Sequence, residues 1–184
     1  TKLMVERMLP WFDKAHGLKF MGIRYFNAAG AALDGSIGSD QPNESHLIPN
    51  VLRAALKGGK FTIFGGDYPT VDGTCVRDYI HVLDLADIHV LALKALIGGA
   101  ESNFYNAGYG QGYSNKQIVE MIKKVTGLDF KVEIGPRRAG DTAAVVASID
   151  KIKTDFGWEP KYGLKEIVES AYLWHKGHPN GYSG

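Results

Sequence analysis

One cysteine, Cys75, is all the thiol chemistry the sequence contains. A lone cysteine forms no internal disulfide, which argues against a disulfide-stapled secreted scaffold and fits a reducing cytoplasm. No apolar run approaches the ~20 residues that a membrane-spanning helix needs, and no signal peptide is visible. The expectation is therefore a soluble, cytoplasmic protein with no membrane partner. Excess charge of one sign is also missing: 21 Lys and Arg stand against 20 Asp and Glu, for a net charge of +1. That balance gives no basic surface for nucleic acid. It leaves room for a small anionic ligand, which needs only one or two placed arginines. A Gly-x-Gly-x-x-Gly phosphate loop is absent too. GYGQGY, starting at Gly108, lacks the final glycine and a downstream acidic partner, and reads as a loop. His81, His89 and the other histidines lack the spacing of metal ligands. Asp84 and Asp87 suit a helix start, so no metal is expected.

What is present is ordinary globular material. The 184 residues are 45% hydrophobic and 22% charged, enough for one domain with a real core, or one domain and part of another. The chain opens TKLMVERML with no N-cap, already inside a helical pattern. Leu3, Met4, Met8, Leu9, Trp11 and Phe12 supply the apolar face and His16-Gly17 the stop. Pro10 requires a bend or a new turn. A helix that begins in mid-stride predicts further sequence upstream.

KFMGIRYF (19–26) alternates like a strand, and Asn27 to Ser45 reads as one long polar loop. Leu47 to Leu56 forms a helix that Gly58-Gly59 ends. The stretch FTIFGGDYPTVDGTCVRDYIHVLDLADIH, from Phe61 to His89, joins a strand, a polar loop, a second strand carrying Arg77 and Asp78, and a helix from Leu83 to Ile97. NFYNA (103–107) is another strand. Ser114 with Gln117 forms a capping box for a helix to about Val125, and Phe130 to Ile134 is a strand. GPRRAGD (135–141) is a loop and Val145 to Ile149 a short strand. Asp150 caps a brief helix, and Leu164 to Trp174 is the last one. Trp11, Trp158 and Trp174 are assigned to the core, as is Cys75. The mixture is α/β. Residues 1–30 read as the end of a parallel α/β layer. Residues 31–184 read mainly as a smaller domain whose segments return to that layer.

Several residues have a chemical and a structural reading. Arg77 lies in a strand suited to burial, where an unpaired charge is costly. It is either a ligand for a diphosphate or the ion-pair partner of Asp78 or Asp87. Arg138, beside Arg137, is a second phosphate ligand or one of a solvated pair. Asp141 accepts from a sugar or ribose hydroxyl, or caps a turn. Tyr25 and Phe26 read as strand core and Asn27 as a turn former, and Lys2 as a solvated lysine at a helix start.

GTCVRDYIHVLDLADIH, with RYFNAAGA before it and PRRAGD after it, resembles the sugar-nucleotide-binding half of the UDP-glucose 4-epimerases, in the extended short-chain dehydrogenase/reductase family. The resemblance covers essentially the whole chain. It implies the last elements of a Rossmann-type sheet plus the small domain that binds a UDP-sugar. Arg77 and Arg138 then contact the pyrophosphate, and Asp141 lies at the ribose. The backbone of Thr62, Ile63 and Phe64 pairs with uracil, with His46 and Leu47 near the nucleotide. His46 stands where some relatives have asparagine, and imidazole can still donate one bond. Tyr25 and Phe26 line the nicotinamide and substrate cleft, and Asn27 bonds the diphosphate.

Lys2 matches the lysine of a helical Tyr-x-x-x-Lys motif, whose tyrosine would stand upstream of Thr1. There the lysine lowers the tyrosine pKa and bonds the cofactor ribose, and the tyrosine acts as base. NAD is the implied cofactor, and a homodimer built on the lysine helix the implied assembly. Val145 matches a gatekeeper at the sugar pocket, where a medium side chain leaves more room than tyrosine. The implied reaction interconverts UDP-glucose and UDP-galactose through a 4-keto sugar. The alternatives are another nucleotide-sugar epimerase, dehydratase or decarboxylase of the family, or a UDP-sugar-binding module with no activity of its own. Because the phosphate-binding glycines and the tyrosine are absent here, the 184 residues alone are expected neither to hold NAD tightly nor to epimerise.

Overall fold

A computed structural model describes residues 1–41 and 43–183. The first helix, α1 (Lys2–His16), carries Pro10 inside it and ends on Gly17, whose left-handed φ of 66° closes the last turn. Strand β1 (Met21–Tyr25) follows. One residue later the chain enters β2 (Asn27–Ala29), which belongs to another sheet. Phe26 is the step between the two.

Helix α2 (Leu47–Leu56) leads into β3 (Lys60–Phe64), and the DYPTVDGT loop into β4 (Val76–His81) and α3 (Val82–Ile97). Then come β5 (Asn103–Ala107), β6 (Gly112–Ser114), α4 (Asn115–Thr126), β7 (Lys131–Gly135) and β8 (Ala144–Val145). The chain finishes with α5 (Asp150–Phe156), α6 (Leu164–Gly177) and a short 3-10 turn at Gly181–Ser183. The capping box at α4 is present in both directions between Ser114 and Gln117.

Among the described residues the strands form three sheets. Strands β1 and β5 pair in parallel, as do β3 and β7. The third is centred on β4, which runs parallel to β2 and β8 and antiparallel to β6. Successive strand residues face opposite sides, and β4 uses this to serve two cores. Tyr79 packs into the larger one with α2, α4 and α6, around Leu52, Ile118, Ile122 and Ile167. Its neighbour Ile80 packs into the smaller one with Ile88, Tyr105, Ala107, Ile152 and Trp158. The parallel β1–β5 pair, with α3 and α5, lies on this second side.

Five expectations need correction. The segment from Asn27 to Ser45 is not loop throughout, because Asn27–Ala29 pairs with Tyr79–His81. Three residues without a β-branched side chain carry too little strand signal, and β4 imposes the pairing. Gly112–Ser114 likewise pairs with β4 although the GYGQGY run reads as loop. The strand expected at Val145–Ile149 stops at Val145, since the Ala147 amide turns to the Asp78 carboxylate at 3.1 Å. Asp150 does not cap α5; Ile149 holds that position, and the Asp150 carboxylate accepts from the Ser148 hydroxyl instead. Trp158 and Trp174 are buried as expected, but Trp11 is 68% exposed, beside exposed Leu3, Met4, Val5 and Met8 on α1. Among the described residues no helix is long and apolar enough to cross a membrane.

Asp84 ties the two halves of the fold. Fully buried in the first turn of α3, it accepts the backbone N–H groups of Lys161 and Tyr162, both at 3.0 Å. This fixes the segment leading into α6. Asp84→Ala strips both N–H groups of their acceptor, so unfolding of the full-length protein in urea is expected to show a loss of about 2 to 4 kcal/mol. Unchanged stability would show that water replaces the carboxylate at no cost.

Candidate functional site

A cavity of about 990 Å³ opens where α1, β2, α2, β3, β4 and α6 converge. Twelve of the thirteen residues singled out in the sequence line it: Lys2, Tyr25, Phe26, Asn27, His46, Leu47, Thr62, Ile63, Phe64, Arg77, Arg138 and Asp141. Val145 does not. It sits on β8 as the register partner of Arg77 on β4, where paired residues stand on the same face of the sheet. It therefore flanks the arginine from outside the cavity wall.

Arg77 pairs with neither Asp78 nor Asp87. Its Nη1 donates to the carbonyls of Val76 at 2.9 Å and Thr142 at 2.8 Å, and its Nη2 lies 3.7 Å from Asp141. Asp78 points the other way, fully buried, and accepts three backbone N–H groups, from Tyr109, Gly110 and Ala147. Burial pushes its pKa up, against those three bonds. Asp87 is taken by Lys161 at 2.6 Å. The Arg77 fork is thus oriented by two carbonyls, with the Asp141 carboxylate 3.7 Å from Nη2 as its ion-pair partner.

The two arginines after Pro136 divide. Arg137 is spent on Asp67, at 2.6 Å, and on the Tyr68 ring beneath it. Arg138 stacks 3.9 Å over the Phe64 ring on the cavity wall. A guanidinium on an aromatic face keeps its edge N–H groups for an anion. Asp141 lies between the two arginines, its amide on the Arg138 carbonyl at 3.4 Å. Arg77 and Arg138 therefore approach one end of the cavity from two separate segments.

Strand β3 gives one edge to β7, and among the described residues pairs with no other strand. Its Thr62 to Phe64 segment lines the cavity, so backbone N–H and C=O groups remain there for a flat polar ligand. His46 enters at the start of α2. Its Nδ1 lies 2.6 Å from Glu44, whose side chain is 2% exposed and which also accepts the His46 amide. Burial works to raise the Glu44 pKa, but the His46 bonds prevail and hold it below the usual carboxylate range. The pairing puts a proton on Nδ1 and leaves Nε2 for a ligand.

Asn27 donates to the Asp78 carbonyl at 2.7 Å. One N–H and the side-chain oxygen stay available. The strand it belongs to ends at Gly30, in the left-handed region at φ 90°, where a Cβ would press on His81 and Ser170. Only glycine satisfies both demands. His81 caps α3, its Nδ1 accepting from the Leu83 amide at 3.1 Å, and its Nε2 meets the Ser170 hydroxyl at 3.1 Å. Ser170 in turn accepts the Ala31 amide and donates to the Glu166 carbonyl.

The sequence reading missed the floor and far wall, formed by Ile37 to Ser39, Glu44, Tyr79, Trp174 and His175. Trp174 was recognised as core only. A polar run with a carboxylate two residues before His46 was the one available signal for Glu44. Nothing in α6 marks it as a cavity wall, because its contacts with the loop span more than a hundred residues. Among the described residues no group of three His, Cys, Asp or Glu side chains could hold a metal ion.

Residues 1–108 match the model of the NAD dependent epimerase/dehydratase family. The chain belongs to that family. It is 52% identical over 184 residues to a UDP-glucose 4-epimerase of Lactobacillus helveticus, covering 99% of this chain and 56% of that protein. A crystal structure of a UDP-glucose 4-epimerase superposes with a TM-score of 0.94 at 51% identity, over 98% of this chain and 56% of that one. The Bifidobacterium longum UDP-glucose 4-epimerase, crystallised with NAD+ and UDP, gives 0.90 at 34% identity, over 98% and 55%. The chain thus spans about half the length of the relatives it matches. In this α/β family member the expected cavity residues do converge, apart from Val145.

Burial holds the His81 pKa below its ordinary 6.5, against the pull of Asp84 and Glu166. The native state therefore keeps the ring neutral while the unfolded chain protonates first. Stability is complete above pH 6.5 and is lost as pH falls from there through the native pKa, by roughly one proton's worth of slope. His81→Asn keeps a capping oxygen and should flatten the pH dependence of the unfolding free energy below 6.5. An unchanged slope would assign it to His175, whose pKa burial also lowers.

Proposed function

We propose that this chain is the UDP-sugar-binding portion of an NAD-dependent UDP-glucose 4-epimerase. The observation that carries the reading is the convergence of Arg77 from strand β4 and Arg138 from the loop after β7 on one cavity end, next to the free edge of β3. Two guanidinium forks suit a diphosphate, and the exposed strand edge suits a uracil ring. Asp141, between the arginines, is the acceptor for a ribose hydroxyl.

The cofactor fits in part. Lys2, Tyr25 and Phe26 share the cavity wall, with the Lys2 ammonium available to a ribose and the aromatic pair to a flat ring. The turn that would hold the NAD pyrophosphate is not in this sequence, so this chain alone binds NAD weakly and does not epimerise. NAD, when bound, accepts a hydride from the sugar and returns it. The chain's own part is to anchor the nucleotide while the sugar stays free. Binding energy sits on the non-reacting UDP, which lets the sugar present either face to the reacting centre. Asn27, with one N–H uncommitted, extends the anchoring toward the diphosphate. The same reading assigns the exposed apolar face of α1 to a second copy of the protein.

The test uses the full-length protein. Arg77→Ala should weaken UDP binding by about 10- to 100-fold, the worth of hydrogen bonds to a charged group, measured by calorimetry. Unaltered UDP affinity would remove the arginine from the site and the reading with it.

The family resemblance, rather than the cavity lining, gives Val145 a bearing on substrate range, and it stands beside Arg77 with a medium side chain. The full-length protein is expected to turn over an N-acetylated UDP-hexosamine measurably, and Val145→Tyr to suppress that turnover more than that of UDP-glucose. Wild-type turnover of the N-acetylated sugar at zero, beside robust UDP-glucose turnover, would refute this.

A further inference from the structure

The loop from Ala31 to Ser45 forms one wall of the cavity through Ile37, Gly38, Ser39 and Gln41, yet its described residues hold no regular element. A segment of that length pays heavily in conformational entropy to stay in one shape. Turn bonds such as Ala32 N–H to the Ile37 carbonyl order its first part, and residues 38 to 40 are held from the far end of the chain. The Tyr182 hydroxyl accepts the Gly38 N–H and donates to the Gly38 carbonyl, each at 3.1 Å, so one side chain satisfies both backbone groups of one residue. The Tyr182 amide donates to Asp40 at 3.1 Å, and Trp174 Nε1 donates to the Ser39 carbonyl at 3.0 Å.

The three aromatic rings behind these bonds support one another. Trp174 stacks on His178 with centroids 3.8 Å apart and meets Tyr182 at 4.7 Å. Gly38 lies so close to the Trp174 ring that an added Cβ would run into it. Three consecutive loop residues, 38 to 40, are therefore pinned from behind while their front faces the cavity.

We propose that Tyr182 and Asp40 are positioning residues for the nucleotide-sugar ligand. Neither lines the cavity. They act through Gly38 and Ser39, holding the wall in its binding shape before the ligand arrives. The inference rests on the reading of the cavity as a UDP-sugar site. Breaking the clasp leaves the loop to be ordered at the moment of binding, so the cost falls on affinity. Chemistry at the sugar, once bound, is untouched.

The test uses the full-length protein with Tyr182→Phe, which keeps the ring stack and removes the hydroxyl, and Asp40→Asn as a second variant. UDP affinity by calorimetry, KM and kcat for UDP-glucose, bound NAD per subunit and amide hydrogen exchange are measured. Tyr182→Phe is expected to raise the Kd for UDP and the KM about 5- to 30-fold, the worth of one or two lost hydrogen bonds, and Asp40→Asn to raise both by less. In each variant kcat and bound NAD stay at wild-type values, and exchange speeds up between residues 31 and 46. Wild-type UDP affinity in both variants would overturn the inference. So would a loss of affinity that tracks a loss of bound NAD and thermal stability, which marks a general structural role. A wild-type protein that binds no UDP at all would instead sink the underlying reading of the site.

Discussion

The buried Asp78 carboxylate holds the site together. It sits in the middle of β4, fully enclosed, and accepts the backbone N–H groups of Tyr109, Gly110 and Ala147. A charge without partners there would be prohibitive, and three amide donors make it tolerable. The geometric consequence matters more than the energy. Those donors belong to two segments, one leading into β6 and one leaving β8, and both strands pair with β4. One carboxylate thus gathers the strands that flank Arg77. Because neighbouring strand residues face opposite sides, turning Asp78 inward turns Arg77 outward, into the cavity. The acid and the arginine, adjacent in sequence, have opposite duties for that reason.

The same alternation explains how one strand serves two cores. Tyr79 and Ile80 bury on opposite sides of β4, and Phe26 is where the chain steps from the β1–β5 sheet to the β4 sheet. Tyr25, Phe26 and Asn27 all reach the cavity because they sit at that step. A ligand-binding cleft placed between two packed layers draws residues from both with little backbone distortion. His81 and Ser170 then lock the seam, linking the end of β4, the start of α3, the Ala31 amide and α6.

Much of this was legible in the sequence, and the parts that were share a cause. Helices α2 and α4 have local signals: an apolar face with a terminating glycine pair in one, a capping box in the other. Strands β3 and β5 are short apolar runs bounded by turn formers. The strands that escaped, β2 and β6, are three residues each and exist because β4 offers them an edge. No local pattern encodes that. Among candidate residues, the types were readable and the partners were not. Arg77 was a charged residue in a strand suited to burial, which signals something unusual. Whether Asp78, Asp87 or Asp141 answered it depended on strand facing and on a loop more than sixty residues away. Arg137 and Arg138 are indistinguishable by composition. Asp67 takes the first and leaves the second on Phe64.

The wall that sequence could not show is the one built by α6 and the C-terminal turn. Its contacts join residues more than 130 positions apart, through backbone carbonyls and amides that any sequence presents. What selects them is shape, with glycine at 38 to let the Trp174 ring approach and tyrosine at 182 to reach a peptide group with both halves of its hydroxyl. The arginines, Asp141 and the β3 edge supply groups of the kind a UDP moiety bonds. The α6 clasp supplies none, and instead limits the shapes the cavity can take. Affinity for a ligand whose sugar must remain mobile is best concentrated at the nucleotide end. On the proposed reading, a wall held rigid by α6 restrains the ligand's shape without bonding it. If the proposed reading holds, the division between bonding groups on β3, β4 and the 138–141 loop and restraining groups on α6 is the physical form that this requirement takes.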